Sequence, residues 1–418
     1  MKKKLLSAVF AATVAASTLA GCGNSTAKES SNKQTIEFWT IDLKSNFEDY
    51  FNDLIANYEK ENPDVQVNWT DIPYADMQSK LATAVAGGTA PDVVNLNTQF
   101  ALNLAGKDAL VDLNKGATAE QKDIYIESLW DSARIGDARY AFPWYASPDI
   151  MFSNNALIEQ AGIELPHTYE EALGMAEEFY NKTGAYLFQP EEFFNLLVSE
   201  NIDVLSSDGK SAAFNTDKTV ALLEQYKELT DKGVLPKTNW GSWAEALKLF
   251  ESGKLAIVSS SGSSLSRIKD EAPDIYEQIK ISTPLTGTNG LSRNPLMNLV
   301  VPTASKNQEA AIKFANYVTN DDNQLAFCKL VSIFPSTKKA AADPYFTSDE
   351  STLEGQASAM SAKASETSQD YSLGVANQES IQTAVNKAYE AVIINGEDIK
   401  ASLAQAEEDV NKILQENN

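Results

Sequence analysis

Three consecutive hydrogen-bonding side chains, Asn97, Thr98 and Gln99, follow an apolar run, residues 93–96, that is typical of a buried strand. A Gly-Gly pair at residues 87–88 ends the preceding helix, because glycine adopts a C-cap conformation without steric cost. In open α/β sheets, ligands bind beyond the carboxyl ends of the strands. The three side chains are therefore candidate ligand contacts. The alternative is an ordinary turn whose polar residues are solvated.

Residue types that could support catalysis are present, but their spacing does not indicate an active site. The one histidine, His167, lies in a Pro-His-Thr loop, where we expect it to be solvated. Carboxylate pairs of the glycosidase kind arise by chance among 58 Asp and Glu residues. The sequence has no phosphate-binding loop, dinucleotide fingerprint or serine nucleophile elbow. One histidine and one thiol besides Cys22, that of Cys328, do not make a zinc site, so no enzyme, metal or other cofactor is predicted.

The first 22 residues predict export and lipidation. Three lysines precede an apolar run, residues 5–19, that is too short for a permanent membrane span. The run ends in Leu-Ala-Gly-Cys, a lipobox in which Cys22 would carry acyl chains such as palmitate. Residues 23–33 are polar and predict a flexible tether. We therefore expect a lipid-anchored protein on the outer face of the cytoplasmic membrane; the alternative is a plain secretory signal with an unmodified cysteine.

The composition excludes several classes of partner. The formal net charge is −24, which argues against nucleic acid and against anionic lipid as binding partners. Contact with the membrane should therefore come from the lipid anchor alone. A chain of 418 residues is expected to form about two domains, with enough core to need no disulfide.

The pattern of apolar residues predicts an α/β fold. A strand-helix-strand-helix-strand order is predicted for residues 35–96, which requires a parallel sheet with right-handed crossovers. Gly136-Asp137 predicts the turn of a hairpin, and capping patterns predict helix starts at Thr168 and Ser242. The remainder of the chain is predicted to be mostly helical, with no structure assigned to residues 351–372.

Six segments, taken in order, resemble the extracellular solute-binding proteins of ABC importers, in particular the sugar-binding group that includes maltose-binding protein. The resemblance covers residues 35 to 345. The segments are the strand around Trp39; A-G-G-T-A-P-D-V-V at 86–94; R-Y-A-F-P at 139–143 with F-S-N-N-A-L-I at 152–158; A-G-I-E-L-P-H-T-Y-E-E at 161–171; F-E-S-G-K-L-A-I at 250–257; and 305–314 with Q-L-A-F at 324–327 and F-P at 334–335.

This resemblance implies two lobes, each a sheet flanked by helices, joined by a hinge that closes around a ligand. The predicted N-terminal lobe comprises residues 34–145 and 285–334, and the C-terminal lobe comprises 146–284 and 335–418. The resemblance further implies a monomer that captures a carbohydrate ligand, namely an oligosaccharide. The protein would deliver this ligand to the permease subunits of an ABC importer. Together with the lipobox, it indicates a Gram-positive bacterium.

A sugar presents hydroxyls at its edge and C–H groups on its faces, so its site needs polar side chains and aromatic planes. Positions in the predicted elements, together with the resemblance, indicate the candidates. The polar ones are Asn97, Thr98, Gln99, Asp149, Ser263 and Asn298, with Asn294 a weaker one, and the aromatic ones are Trp39, Trp144, Tyr145, Trp240 and Trp243. Core packing is the alternative for each tryptophan.

Ser263 marks a departure from the family, since many relatives have a tryptophan at this position. One stacking plane is thereby removed, which weakens the case for a maltodextrin-type ligand. Three alternatives stay open. The ligand could be an anionic sugar acid held by Arg293 or Arg267, and the protein could instead be a secreted glycoside-active enzyme or an adhesin.

Overall fold

The computed structural model describes residues 33–237 and 242–416. Several predicted features lie outside these residues, namely the signal with Cys22, nearly all of the tether, and Trp240. The strands are β1 (Gln34–Ile41), β2 (Val65–Ile72), β3 (Val93–Asn97), β4 (Arg134–Ile135), β5 (Ala138–Arg139), β6 (Phe142–Ala146), β7 (Ile150–Asn154), β8 (Ile257–Ser260), β9 (Ile279–Ser282), β10 (Ser292–Arg293), β11 (Leu296–Val300), β12 (Phe334–Pro335) and β13 (Ser368–Gln369).

The helices fall between these strands and after them. They are α1 (Lys44–Glu61), α2 (Tyr74–Ala86), α3 (Thr98–Ala105), α4 (Leu113–Gly116), α5 (Ala119–Asp123), α6 (Glu127–Trp130), α7 (Asn155–Ala161), α8 (Tyr169–Thr183), α9 (Phe193–Ser199), α10 (Asp217–Asp231), α11 (Trp243–Glu251), α12 (Ser264–Glu271), α13 (Pro273–Tyr276), α14 (Gln308–Val318), α15 (Asp321–Cys328), α16 (Lys338–Ala341), α17 (Leu353–Ser365), α18 (Gln378–Tyr389) and α19 (Ile399–Gln415). A 3-10 turn (Pro344–Thr347) and a π-helical turn (Glu390–Ile394) complete the elements.

Within the described residues, the larger sheet has six strands in the order β12-β6-β11-β3-β1-β2. Both β2 and β3 run parallel to β1, which confirms the predicted parallel unit. Strand β11 is antiparallel to β3 and to β6, and β12 is antiparallel to β6. Because β3 lies inside this sheet and is covered on both faces, four of its five residues are buried.

Helices cover both faces of the larger sheet, and the sheet and these helices together form the N-terminal lobe. On one face, Phe38 and Phe51 pack with Phe314 of α14. On the other face, Leu96 packs with Leu81 of α2. Each such side chain contributes on the order of 1.5–3 kcal/mol when it is fully removed from water.

The C-terminal lobe has a smaller sheet and a larger share of helix. Strands β8 and β9 both pair antiparallel with β7, in the order β8-β7-β9. Its main core joins α8, α9 and α10 to α18 and α19. The predicted α/β class, with two lobes that each have a sheet flanked by helices, is confirmed.

Local signals in the sequence also correspond to elements of the structure. Strands β4 and β5 form the predicted hairpin around Gly136. The Thr168 hydroxyl accepts from the Glu171 amide at 3.1 Å, and the Ser242 hydroxyl accepts from the Glu245 amide at 3.4 Å. The segment without a predicted structure contains α17 and β13.

The chain crosses between the two lobes three times, and packing moves two of the predicted lobe limits. Residues 285–293, predicted in the N-terminal lobe, lie on the C-terminal one, where Thr286 pairs with Thr168. Residues 336–341, predicted in the C-terminal lobe, lie on the N-terminal one, where the Ser336 hydroxyl donates to the Pro143 carbonyl at 2.6 Å. The prediction put these limits after residues 284 and 334, whereas the chain stays on the same lobe for several residues past each.

Candidate ligand-binding site

A cavity of about 410 Å³ lies between the two lobes and is called here the main cavity. Its N-terminal wall includes Tyr74 and the predicted run 97–99. Its other side includes Phe194, Asn195, Arg293, Asp370, Tyr371 and Gln382. The carboxyl end of β3 therefore faces the opposite lobe. This is the position where ligands bind in open α/β sheets.

Two smaller cavities adjoin the main one. The first, the inner chamber, shares Asn195, Arg293 and Tyr371 with it. The second, the tryptophan recess, contains Trp243 and shares Glu191 and Arg293 with the inner chamber. Arg293 lines all three cavities.

Local hydrogen bonds orient the side chains of the N-terminal wall. Asn97 is the N-cap of α3, where its Oδ1 accepts from the Phe100 amide at 2.8 Å and its Nδ2 donates to the Tyr74 hydroxyl at 2.9 Å. The Tyr74 side chain also stacks on the Phe100 ring, with centroids 5.7 Å apart. A helix start rather than a polar loop thus follows β3.

Thr98 and Gln99 connect this wall to the opposite one. The Thr98 hydroxyl donates to the Asp370 carboxylate, and the Gln99 carboxamide donates to that of Gln382. Behind them, Asn298 is fully buried and its Nδ2 donates to Thr98 Oγ1 at 3.1 Å. Asn298 therefore supports Thr98 and does not line the main cavity.

The opposite wall is charged. Arg293 Nε lies 3.2 Å from Asp149 Oδ2. Burial raises the pKa of Asp149 to about 6, against the opposing effect of Arg293. Burial also raises the pKa of Asp370 to about 6, although hydrogen bonding to Thr98 opposes that rise. Among the described residues that line the three cavities, Arg293 is the one cation.

The structure brings five of the predicted site residues to these cavities. Asn97, Thr98 and Gln99 line the main cavity, Asp149 lines the inner chamber, and Trp243 lines the tryptophan recess. Trp243 is 46% exposed, and its indole nitrogen donates to the Ser260 hydroxyl at 2.9 Å. This hydrogen bond orients the indole ring, which therefore presents an aromatic plane to the recess.

Trp144 is corrected from a ligand contact to a core residue. It is 1% exposed and stacks on Phe327 at 5.6 Å between ring centroids. Tyr145 packs edge-on against the same Phe327 at 5.6 Å, and burial raises its pKa. Residues 142–146 form β6 inside the larger sheet, and Trp144 faces the helices that cover it.

Three other predicted positions lie elsewhere. Trp39, half-buried, lines a groove beside α2 with Lys80 and outside the three cavities. Ser263 is exposed, and its hydroxyl pairs with that of Ser261. The weaker candidate Asn294 is 2% exposed and does not line the main cavity.

Sequence reasoning missed much of the charged wall. Tyr74 directly follows Pro73 at the end of β2, so the rule that found Asn97 would also have found it. Asp370 and Tyr371 lie in the segment without a predicted structure, and Glu191 lies in a loop before α9. Their shared position depends on long-range folding and carried no local signal.

Comparison with known proteins shows related sequences and folds. The family model described as "Bacterial extracellular solute-binding protein" matches residues 53–354. The diacetylchitobiose binding protein DasA of Streptomyces coelicolor is 24% identical, with 99% of each chain covered. The galactooligosaccharide-binding protein of Bacillus subtilis is 25% identical, over 82% of this chain and 83% of that one.

A solved structure shows the same fold. The sugar-binding protein MalE from Xanthomonas citri superposes with a TM-score of 0.77 at 21% identity, covering 92% of this chain and 98% of that chain. The match to the family model covers more than half of the chain. It confirms the family that the six segments of the sequence predicted. This chain belongs to the bacterial extracellular solute-binding protein family.

Proposed function

We propose that this protein is a lipid-anchored extracellular binding protein that captures a neutral oligosaccharide and delivers it to an ABC permease by hinge closure. It is proposed to act without catalysis and as a monomer. The main cavity between the lobes carries the proposal, because it combines hydrogen-bonding side chains with the exposed ring of Tyr74. Relatives named for diacetylchitobiose and galactooligosaccharide support a carbohydrate ligand.

The charges around the main cavity favour a neutral sugar over a sugar acid. Arg293, the proposed anchor for an acid, already pairs with Asp149. Arg267, the other proposed anchor, pairs with Glu251 and lies outside the lining of the three cavities. An anionic ligand would therefore meet carboxylates with no unpaired cation among the described lining residues.

Titration calorimetry with a sugar panel tests this function. The panel is diacetylchitobiose, galactotriose, cellotriose and maltotriose, with trigalacturonic acid as the acidic ligand. Binding of at least one neutral member, with much weaker binding of the acid, is the expected result. Binding of no carbohydrate would overturn the proposed ligand class, and turnover of any glycoside would overturn the proposal that the protein is not an enzyme.

Lipid anchoring is tested separately, because Cys22 lies outside the described residues. In the described part of the chain, no helix has the length and apolar character of a membrane span. We expect the full chain to fractionate with membranes and to be labelled by palmitate. Cys22→Ser should abolish the labelling, and equal labelling of this variant would contradict the anchor.

A further inference from the structure

The sequence predicts Trp39 as a ligand contact, but this residue lies in a cavity that the proposed function does not use. The cavity, called here the outer groove, has a volume of about 970 Å³ and lies on the N-terminal lobe beside α2. It shares no lining residue with the main cavity, the inner chamber or the tryptophan recess. The outer groove is therefore a separate space, with more than twice the volume of the main cavity.

One face of the larger sheet, near its β2 edge, forms the floor of the outer groove. Thr35, Glu37 and Trp39 are alternate residues of β1, so their side chains point to the same face. Their neighbours on β2 are Asn68, opposite Glu37, and Thr70, opposite Trp39. The floor therefore combines hydroxyl, amide, carboxylate and indole groups along about 13 Å of strand.

The residues of α2 leave this floor uncovered. Met77 and Leu81 of α2 are buried against the sheet. The residues that line the groove one turn apart, Ser79 and Thr83, are small, and Gly87 follows at the end of the helix. Because no long side chain of this row reaches over β1, the groove stays open above its floor.

Trp39 brings both an aromatic ring and an unpaired donor to the outer groove. The ring is half-buried and packs partly against the core beside α2. Its indole N–H makes no hydrogen bond with any of the described residues, whereas that of Trp69 donates to the Thr40 hydroxyl at 2.8 Å. A ligand beside the Trp39 ring can therefore also accept a hydrogen bond from it.

The charged groups of the outer groove are of both signs. Its lining has three carboxylates and two lysines. Asp92 is 4% exposed and accepts from the Glu37 amide at 2.9 Å, and Lys80 lies 3.4 Å from Asp76. One oxygen of the Glu37 carboxylate accepts from Asn68 at 2.7 Å, so the other oxygen can accept from a ligand. An ionic ligand of either sign would meet like charges, whereas a neutral ligand with hydroxyl groups would not.

Carbohydrate is the ligand class that this combination of groups fits. The C–H faces of a sugar pack on an aromatic ring, and its hydroxyls accept from an N–H and donate to a carboxylate. An extended peptide would instead be expected to pair with the free edge of β2, but the groove lies on the face of the sheet and not at that edge.

We propose that the outer groove is a second carbohydrate site, which binds a neutral polysaccharide on the surface of the N-terminal lobe. Trp39 stacks on a sugar ring, and Glu37 accepts from the sugar hydroxyls. The site goes beyond the proposed function, because all its lining residues belong to one lobe and it does not need hinge closure.

Native affinity electrophoresis tests this second site. The gels contain glycol chitin, galactan, hydroxyethylcellulose or soluble starch, with polygalacturonate as the acidic polymer. The panel oligosaccharide that binds most tightly is added at saturation, so that the main cavity is occupied. We expect at least one neutral polymer to slow the migration of the wild type, and polygalacturonate not to slow it.

Two variants remove the site by different routes. Trp39→Ala removes the ring, and Ser79→Phe fills the groove from an exposed position on α2. We expect each to weaken binding to the polymer about tenfold or more, while Ser79→Phe leaves the calorimetric affinity for the panel within about twofold. Gln78→Phe is the matched control, since Gln78 is exposed on the same helix and does not line the groove. It should migrate as the wild type does.

Three outcomes would overturn the second site. They are retardation by no neutral polymer, retardation that both Trp39→Ala and Ser79→Phe retain, and retardation that the saturating oligosaccharide abolishes, which would place the binding in the main cavity. Equal retardation by polygalacturonate would overturn the neutral ligand class. These outcomes leave the proposed function standing, which fails if the wild type binds no panel member in calorimetry.

Discussion

The two walls of the main cavity are built from different chemical groups. The N-terminal wall presents amide, hydroxyl and phenol groups that bond to one another around the start of α3. The C-terminal wall presents Asp370 and Arg293, with Asp149 and Glu191 in the adjoining cavities. Uncharged groups tolerate many ligand orientations, whereas charged groups penalise a wrong charge strongly. Under the proposed function, we therefore expect the second wall to be more sensitive than the first to the charge of a ligand.

The largest expected effect concerns the core behind the N-terminal wall. Trp144→Ala removes a side chain that packs between Phe51 and Phe327, so the free energy of unfolding should fall by about 3–5 kcal/mol. Trp243→Ala, in the C-terminal lobe, should change it by less than about 1 kcal/mol and should weaken ligand binding. Urea denaturation measures the first effect and calorimetry the second. Equal losses of stability would contradict the division between a core and a cavity tryptophan.

The charged wall should lose stability when its pairing is broken. Arg293→Met leaves Asp149, which is 7% exposed, without its cation. We expect a loss of about 2 kcal/mol, less than for a fully enclosed pair because the guanidinium is partly exposed. The double variant with Asp149→Asn should recover part of this loss in urea denaturation. Additive losses would show that the pair is not coupled.

Stability should also depend on pH through this wall. Burial raises the pKa of Asp370 to about 6 in the folded protein, above the ordinary value of about 3.9 in the unfolded chain. Its contribution to stability is therefore fully present below about pH 4 and is lost as the pH rises through 6. Between pH 4 and 7.5, the free energy of unfolding of the wild type should fall by about 1–2 kcal/mol more than that of Asp370→Asn. Urea denaturation at the two pH values measures this difference. Parallel profiles for the two proteins would contradict this role.

The contact between α3 and the segment before α18 should respond to a single added methyl group. A Cβ at Gly106 would lie 1.9 Å from the Ala376 Cβ, so the backbone at this contact must shift. Gly106→Ala should therefore separate the walls and reduce ligand affinity about tenfold, or 1.4 kcal/mol. Calorimetry and small-angle scattering measure the two effects.

A matched glycine provides the control for that experiment. A Cβ at Gly174 in α8 would have nothing within 4 Å, so Gly174→Ala should leave affinity and shape unchanged. An affinity for Gly106→Ala equal to that of the control would show that closure does not use this contact.

The smallest effect concerns the cap at the N-terminal wall. Asn97→Ala removes the acceptor for the Phe100 amide and should cost about 1 kcal/mol of stability. Asn97→Asp keeps a capping carboxylate but removes the donor to Tyr74, so stability should be retained while any change in affinity reports on Tyr74. A loss of stability in both variants would contradict the capping role.

Local patterns suffice to predict the parallel unit at the start of the chain, the helix caps at Thr168 and Ser242, and the candidate contacts at 97–99. Each depends on residues that are neighbours in the chain, through apolar periodicity, a side-chain acceptor or the end of a strand. The order of the six resembling segments along the chain also sufficed to predict the family.

Long-range packing determines which tryptophans line a cavity and where the charged side chains lie. Trp144 and Trp243 have the same side chain, but one faces the helices from inside the larger sheet and the other caps a recess. Glu191 and Asp370 come from distant parts of the chain, and each lines a cavity with Arg293 only because of packing within the C-terminal lobe. Local residue types carry no information on such contacts, because the free energy of each depends on neighbours that folding brings together.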